Sequence, residues 1–69
     1  MGAEAWGRRI KAYRKLKGYT QIQFAQELGI SVSVLGEVER GSRIPDSALI
    51  DQICKTLDIP VEELLATSN

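Results

Sequence analysis

The chain has 69 residues, a single cysteine, no histidine, and equal numbers of basic and acidic side chains, nine of each. A chain this short hides only roughly 60% of the surface that its unfolded form exposes, so one core and a single domain over residues 1 to 69 are expected, with no room for a second, ligand-sensing domain. Without histidine and with one thiol, metal clusters, disulfide frameworks and thiol-histidine catalysis all lack partners, and the chain reads as a non-enzyme with no metal, no cofactor and no small-molecule ligand.

Trp6, Ile10, Tyr13 and Leu16 recur at steps of four and three, which predicts the inward stripe of a first helix over about residues 3 to 17, ended by Gly18. Thr20 with Gln23 three residues on has the form of a capping box, which starts a second helix over 21 to 28. Phe24, Ala25 and Leu28 give that helix its inward face, and Gly29 closes it in a position that favours a left-handed backbone. Only Gly29 and Ile30 separate it from Ser31, an N-cap for a third helix over 31 to 39, so the two helices must cross at a sharp turn. Leu35 and Val38 are the apolar pair of this third helix, and Gly41 stops it. After the loop "GSRIP", Asp46 caps a fourth helix over 46 to 57, whose wide apolar face is Leu49, Ile50, Ile53, Cys54 and Leu57. Cys54 in that pattern reads as a small buried thiol. Pro60 suits the first turn of a fifth, short helix over 60 to 66 that carries Val61, Leu64 and Leu65. No segment alternates with period two, so the predicted fold is all-α, with five helices and a helix-turn-helix formed by the second and third.

The zero net charge conceals a division. Residues 1 to 43 hold eight basic side chains against four acidic ones, and residues 44 to 69 hold one basic against five acidic. Such a chain can turn its first part to phosphate and its last part away, although a run such as 8 to 17 is also what the solvated face of a helix looks like. No apolar run approaches the length of a membrane span, and "MGAEAW" lacks the basic end and apolar stretch of a secretory signal. A cytoplasmic protein with no membrane partner is expected.

Thr20-Gln21, Ala25, Gly29, Ser31, the aliphatic pair at 35 and 38, "ERG" at 39 to 41 and Pro45 fall in this order at fixed distances. Jointly they resemble the phage repressor and Cro type helix-turn-helix family, also called the Xre family, over roughly residues 6 to 65. The resemblance implies a sequence-specific DNA-binding transcriptional regulator that acts as a homodimer on operator half-sites of double-stranded DNA, with the third helix in the major groove. It implies phosphate contacts from Gln21, Ser31, Arg40 and Arg43, base contacts from Val32, Ser33, Gly36 and Glu37, and an orienting contact between Arg14 and Glu39. The dimer surface is expected on Ile59, Leu64 and Leu65, with Leu65 the better candidate, since Val61 and Leu64 read more readily as closing the core.

The third helix departs from the family's usual chemistry. Val32, Ser33, Gly36 and Glu37 include no side chain that makes the paired hydrogen bonds to guanine or adenine on which most direct readout rests. Two readings follow. In the first, the helix reads thymine methyl groups and DNA shape, with affinity from Gln21, Arg40 and Arg43. In the second, an exposed patch of Val32, Val34 and Gly36 docks another protein in an antitoxin-like role, with weak or no DNA binding. The intact phosphate-contacting frame favours the first.

Overall fold

The computed structural model describes residues 3 to 65, with side chains described from 5 to 64. Among these residues five helices follow one another: α1 (Ala3–Leu16), α2 (Gln21–Leu28), α3 (Val32–Arg40), α4 (Ser47–Leu57) and α5 (Val61–Leu65). No strand occurs among the described residues. The side chain of Leu65 and all of Ala66, expected in the last helix, lie outside them.

Local chemistry sets most of the helix ends. The capping box of α2 closes in both directions: the Gln23 amide donates to Thr20 Oγ1 at 3.1 Å and the Thr20 amide donates to Gln23 Oε1 at 3.0 Å. Ser31 and Asp46 each accept from the amide three residues on, that of Val34 at 3.1 Å and that of Leu49 at 2.8 Å. Each such cap is worth about 1 kcal/mol. Gly29 ends α2 at φ 72°, and the next amide, that of Ile30, donates back to the Ala25 carbonyl at 3.0 Å. That left-handed residue reverses the chain within two positions and allows α3 to begin at once. At the end of α4 the same role falls to Asp58, at φ 57°, since a short polar side chain tolerates this conformation better than most.

The core is formed by Ile10 from α1, Phe24, Ala25 and Leu28 from α2, Leu35 and Val38 from α3, Ile53, Cys54 and Leu57 from α4, and Leu64 from α5. Full burial of one large apolar side chain contributes about 1.5–3 kcal/mol, and among the described residues seven are buried almost completely. Tyr19 leans on Phe24, their ring centres 5.4 Å apart. Leu64 is only 1% exposed, so it takes the core role favoured for it and not a place on a dimer surface. α5 packs against both α1 and α4, and Tyr13 Oη donates to Glu63 Oε2 at 3.1 Å, so the short helix is drawn onto the core instead of presenting Leu64 outward.

The inward line of α1 also differs from the expected stripe. Leu16 is 76% exposed, while Gly7, Ile10 and Arg14 are buried. These three positions, at steps of three and four, face α3, and Leu16 lies well round the helix from Ile10. The backbones approach so closely at Gly7 that a Cβ there would meet the carbonyl oxygens of Val38 and Glu39, with the carbonyl carbon of Glu39 at 2.8 Å.

Two turns further along α1, Arg14 meets Glu39 in a buried pair, each 6% exposed. Arg14 Nε donates to Glu39 Oε2 at 2.7 Å, Nη2 donates to Oε1 at 3.3 Å, and Nη1 donates to the carbonyl of Tyr19 at 2.9 Å. Gln21 Nε2 adds a fourth bond, to Glu39 Oε1 at 3.0 Å. No buried side-chain nitrogen or oxygen is left without a partner among the described residues.

Three outcomes are expected. Gly7→Ala should lower stability by about 2 kcal/mol in urea denaturation, because forced overpacking costs typically 1–3 kcal/mol and backbone atoms cannot step aside. Glu39→Gln should lower it by about 3 kcal/mol, since it leaves a buried guanidinium unpaired, and Arg14→Met combined with Glu39→Leu should recover most of that loss; equal losses in single and double variants would contradict it. Burial, and then the carboxylates of Asp51 and Glu62, raise the pKa of the Cys54 thiol, so a thiol reagent near neutral pH should label it more slowly in the folded protein than in urea.

Candidate nucleic-acid interface

α3 is locked along one side and open along the other. Leu35, Val38 and Glu39 face inward. Positions 32, 36 and 40 share one outward line, with 33 and 37 beside it, because residues four apart on a helix are neighbours. Ser31, Val32, Ser33 and Arg40 are exposed, and Glu37 is half-buried. The amino end of α3 therefore stands clear of the fold, its first amides pointing outward, where the helix dipole favours negative charge.

Gly36 differs from its expected place on the exposed face. It is buried, and what covers it is the side chain of Arg40. A Cβ at position 36 would lie 3.1 Å from Arg40 Nη1 and 3.9 Å from Cζ. The arginine folds back along its own helix, the direction in which helical side chains lean. With Gly36 covered and Val34 half-buried, the large apolar exposure on α3 reduces to Val32, which is 42% exposed. The apolar docking patch considered for Val32, Val34 and Gly36 is thus not formed.

Glu37 and Arg43 form a second unit. Arg43 Nε donates to Glu37 Oε1 at 2.7 Å, both side chains being substantially exposed. The Glu37 carbonyl accepts from the Ser42 amide at 2.9 Å, from the Arg43 amide at 3.3 Å and from Ser42 Oγ at 3.2 Å. The loop after α3 is thereby tied to the last turns of the helix. An exposed pair of this kind adds little stability, but it neutralises the one carboxylate on the outward face and holds a guanidinium beside it.

Gln21 and Ser31, both expected at phosphates, occupy helix starts. The Gln21 side chain is engaged with Glu39, while its own amide is at the first position of α2, where no intrahelical acceptor exists. Ser31 Oγ accepts from Val34 and keeps its proton free to donate. Gln21 contacts Glu39, the neighbour of Arg40 in the chain, so the start of α2 adjoins the end of α3. Neither the Arg40 to Gly36 contact nor the Glu37 to Arg43 pair was foreseen from the sequence, although spacings of four and six residues with complementary chemistry were visible there.

The sequence matches the model of the HTH_3 family, described as helix-turn-helix, over residues 10–64. It is 61% identical over 64 residues to the uncharacterized HTH-type transcriptional regulator YazB of Bacillus subtilis, covering 93% of each chain. It is 37% identical over 60 residues to the HTH-type transcriptional regulator SinR of Bacillus subtilis, covering 86% of this chain and 54% of SinR. Among solved structures, the restriction-modification controller protein C.AhdI from Aeromonas hydrophila superposes with a TM-score of 0.87 at 33% identity, over 91% of this chain and 96% of that one. The crystal structure of SinR in complex with DNA does so with a TM-score of 0.81 at 36% identity, over 87% of this chain and 97% of the other. With five helices in this arrangement and a family match over most of its length, the chain belongs to the HTH_3 helix-turn-helix family.

Proposed function

We propose that the protein is a DNA-binding transcriptional regulator that inserts the amino end of α3 into the major groove. The observation that carries this reading is the two-sidedness of α3: a line fixed by Leu35, Val38 and Glu39, and an opposite line of Val32, Ser33 and Arg40 that is exposed. The likeness to the DNA complex of SinR supports it. Val32 would meet a thymine methyl and the Ser33 hydroxyl would serve as donor or acceptor to a base edge. The amide end of α2 at Gln21, the Ser31 hydroxyl and the Arg43 guanidinium would hold phosphates. Glu37, neutralised by Arg43, would face the groove without the repulsion of a bare carboxylate.

The working form in this reading is a homodimer on two half-sites about one helical turn apart, located with the DNA in the cytoplasm. Ile59 and Val61, half-buried on the side of α4 and α5, are the residues proposed for its contact, and the acidic side chains of those helices would then be held off the duplex.

A mobility-shift titration on random-sequence duplex DNA at about 50 and about 200 mM salt tests the reading, because phosphate neutralisation makes binding fall steeply with salt. Arg43→Ala should weaken binding to all sequences and lower the logarithmic salt slope by about 1, since it removes a cation and exposes Glu37. Glu37→Gln should have the opposite effect on affinity. No shift by the wild-type protein at the lower salt would reject DNA binding.

A further inference from the structure

The first two turns of α3 offer no group that can make paired hydrogen bonds to a base, but the last turn supplies one. Arg40 carries five N–H donors in a planar fork, and it has no carboxylate partner among the described residues, in contrast to Arg14 and Arg43. Its guanidinium does not extend from the helix end toward the surroundings. It lies over Gly36, one turn back, with Nη1 close enough that a single methyl group at position 36 would crowd it. One turn back along the helix is about 6 Å nearer the amino end, toward the middle of the exposed line and the neighbourhood of Val32. The adjacent carboxylate of Glu37 is taken up by Arg43 at 2.7 Å, so it does not draw Arg40 away.

We infer that Arg40 is a specificity-determining residue, its guanidinium seated over Gly36 and donating in a pair to O6 and N7 of a guanine, and that glycine at position 36 keeps this seat open. The assignment rests on the proposal that α3 enters the major groove and goes beyond it. It replaces the phosphate role expected for Arg40 with a base-reading one. A phosphate contact needs only a charge and a reach. A guanine contact needs the planar fork at a fixed place, and the close approach at Gly36 provides such a place.

The test uses the full chain and duplexes selected by the wild-type protein from a random-sequence pool, each position of the selected site then being varied in turn. Wild type should prefer guanine at one position of each half-site by on the order of tenfold. Arg40→Ala and Arg40→Lys should both lose that preference and keep those at other positions, since lysine retains the charge without the fork. Gly36→Ala, which alters no charge and favours the helix, should unfold at no lower temperature than wild type and show a guanine preference between those of wild type and Arg40→Ala.

The inference is overturned if Arg40→Lys keeps the wild-type preferences while Arg40→Ala weakens all sequences alike and lowers the salt slope, the pattern of a phosphate contact. An unchanged guanine preference in Gly36→Ala overturns the seat. Wild-type binding with no base preference overturns the role of Arg40 and leaves DNA binding standing, whereas absence of wild-type binding at low salt removes both.

Discussion

The Glu39 carboxylate, shared between Arg14 of α1 and Gln21 of α2, is the interaction on which the placement of α3 depends. A buried ion pair contributes little net stability, because desolvation offsets much of the attraction. Its geometry is nonetheless exclusive. Rolling α3 by one residue would strip Arg14 of its partner and bring an exposed position into the seam. Gly7 reinforces the same constraint, since its missing side chain lets the α1 backbone rest on the carbonyls of Val38 and Glu39. One polar contact and one close backbone approach therefore fix the roll of the helix and, with it, which residues stand on the outward line.

The same arrangement explains how a chain with no net charge can present a cationic surface. Of the acids near α3, Glu39 is spent inside the fold on Arg14, and Glu37 is matched on the surface by Arg43. Arg40 has no such match among the described residues. Asp51, Glu62 and Glu63 lie on α4 and α5 and Asp58 caps the end of α4, and Glu63 accepts a hydrogen bond from the Tyr13 hydroxyl. What a duplex would meet is set by this local pairing, on the scale of a Debye length of about 8 Å, and not by the sum over the chain.

The helix ends were legible because they are decided by residues within four positions of one another: Thr20 with Gln23, Ser31 with Val34, Asp46 with Leu49, Gly29 with the turn it makes. The roll of α1 was not. A stripe of apolar side chains says that a helix has an inward face, but Leu16 is outside and Gly7 and Arg14 are inside, because the contact with α3 is made by a backbone crossing and an ion pair that hydrophobic periodicity does not register. In sequence Leu64 was a candidate for both core and interface, with the core favoured. The packing of α5 on both α1 and α4 decided it. The end of α4 shows the same limit in miniature, since Asp58 adopts the left-handed conformation for which the sequence offered no glycine.

Small side chains on the outward line of α3 have a consequence for how such a helix can read DNA. A glycine within a helix costs about 1 kcal/mol relative to alanine, so Gly36 is a standing expense unless the space it leaves is used. Here the space is filled by a guanidinium that originates one turn later. In the proposed docking, Val32 and Ser33 at the amino end are short enough for the helix backbone to lie close to the base edges, and the long reading side chain comes from the carboxyl end. A helix that looks empty where base-contacting residues are usually sought can in this way keep the hydrogen-bonding chemistry of readout, moved by four residues and delivered along its own surface.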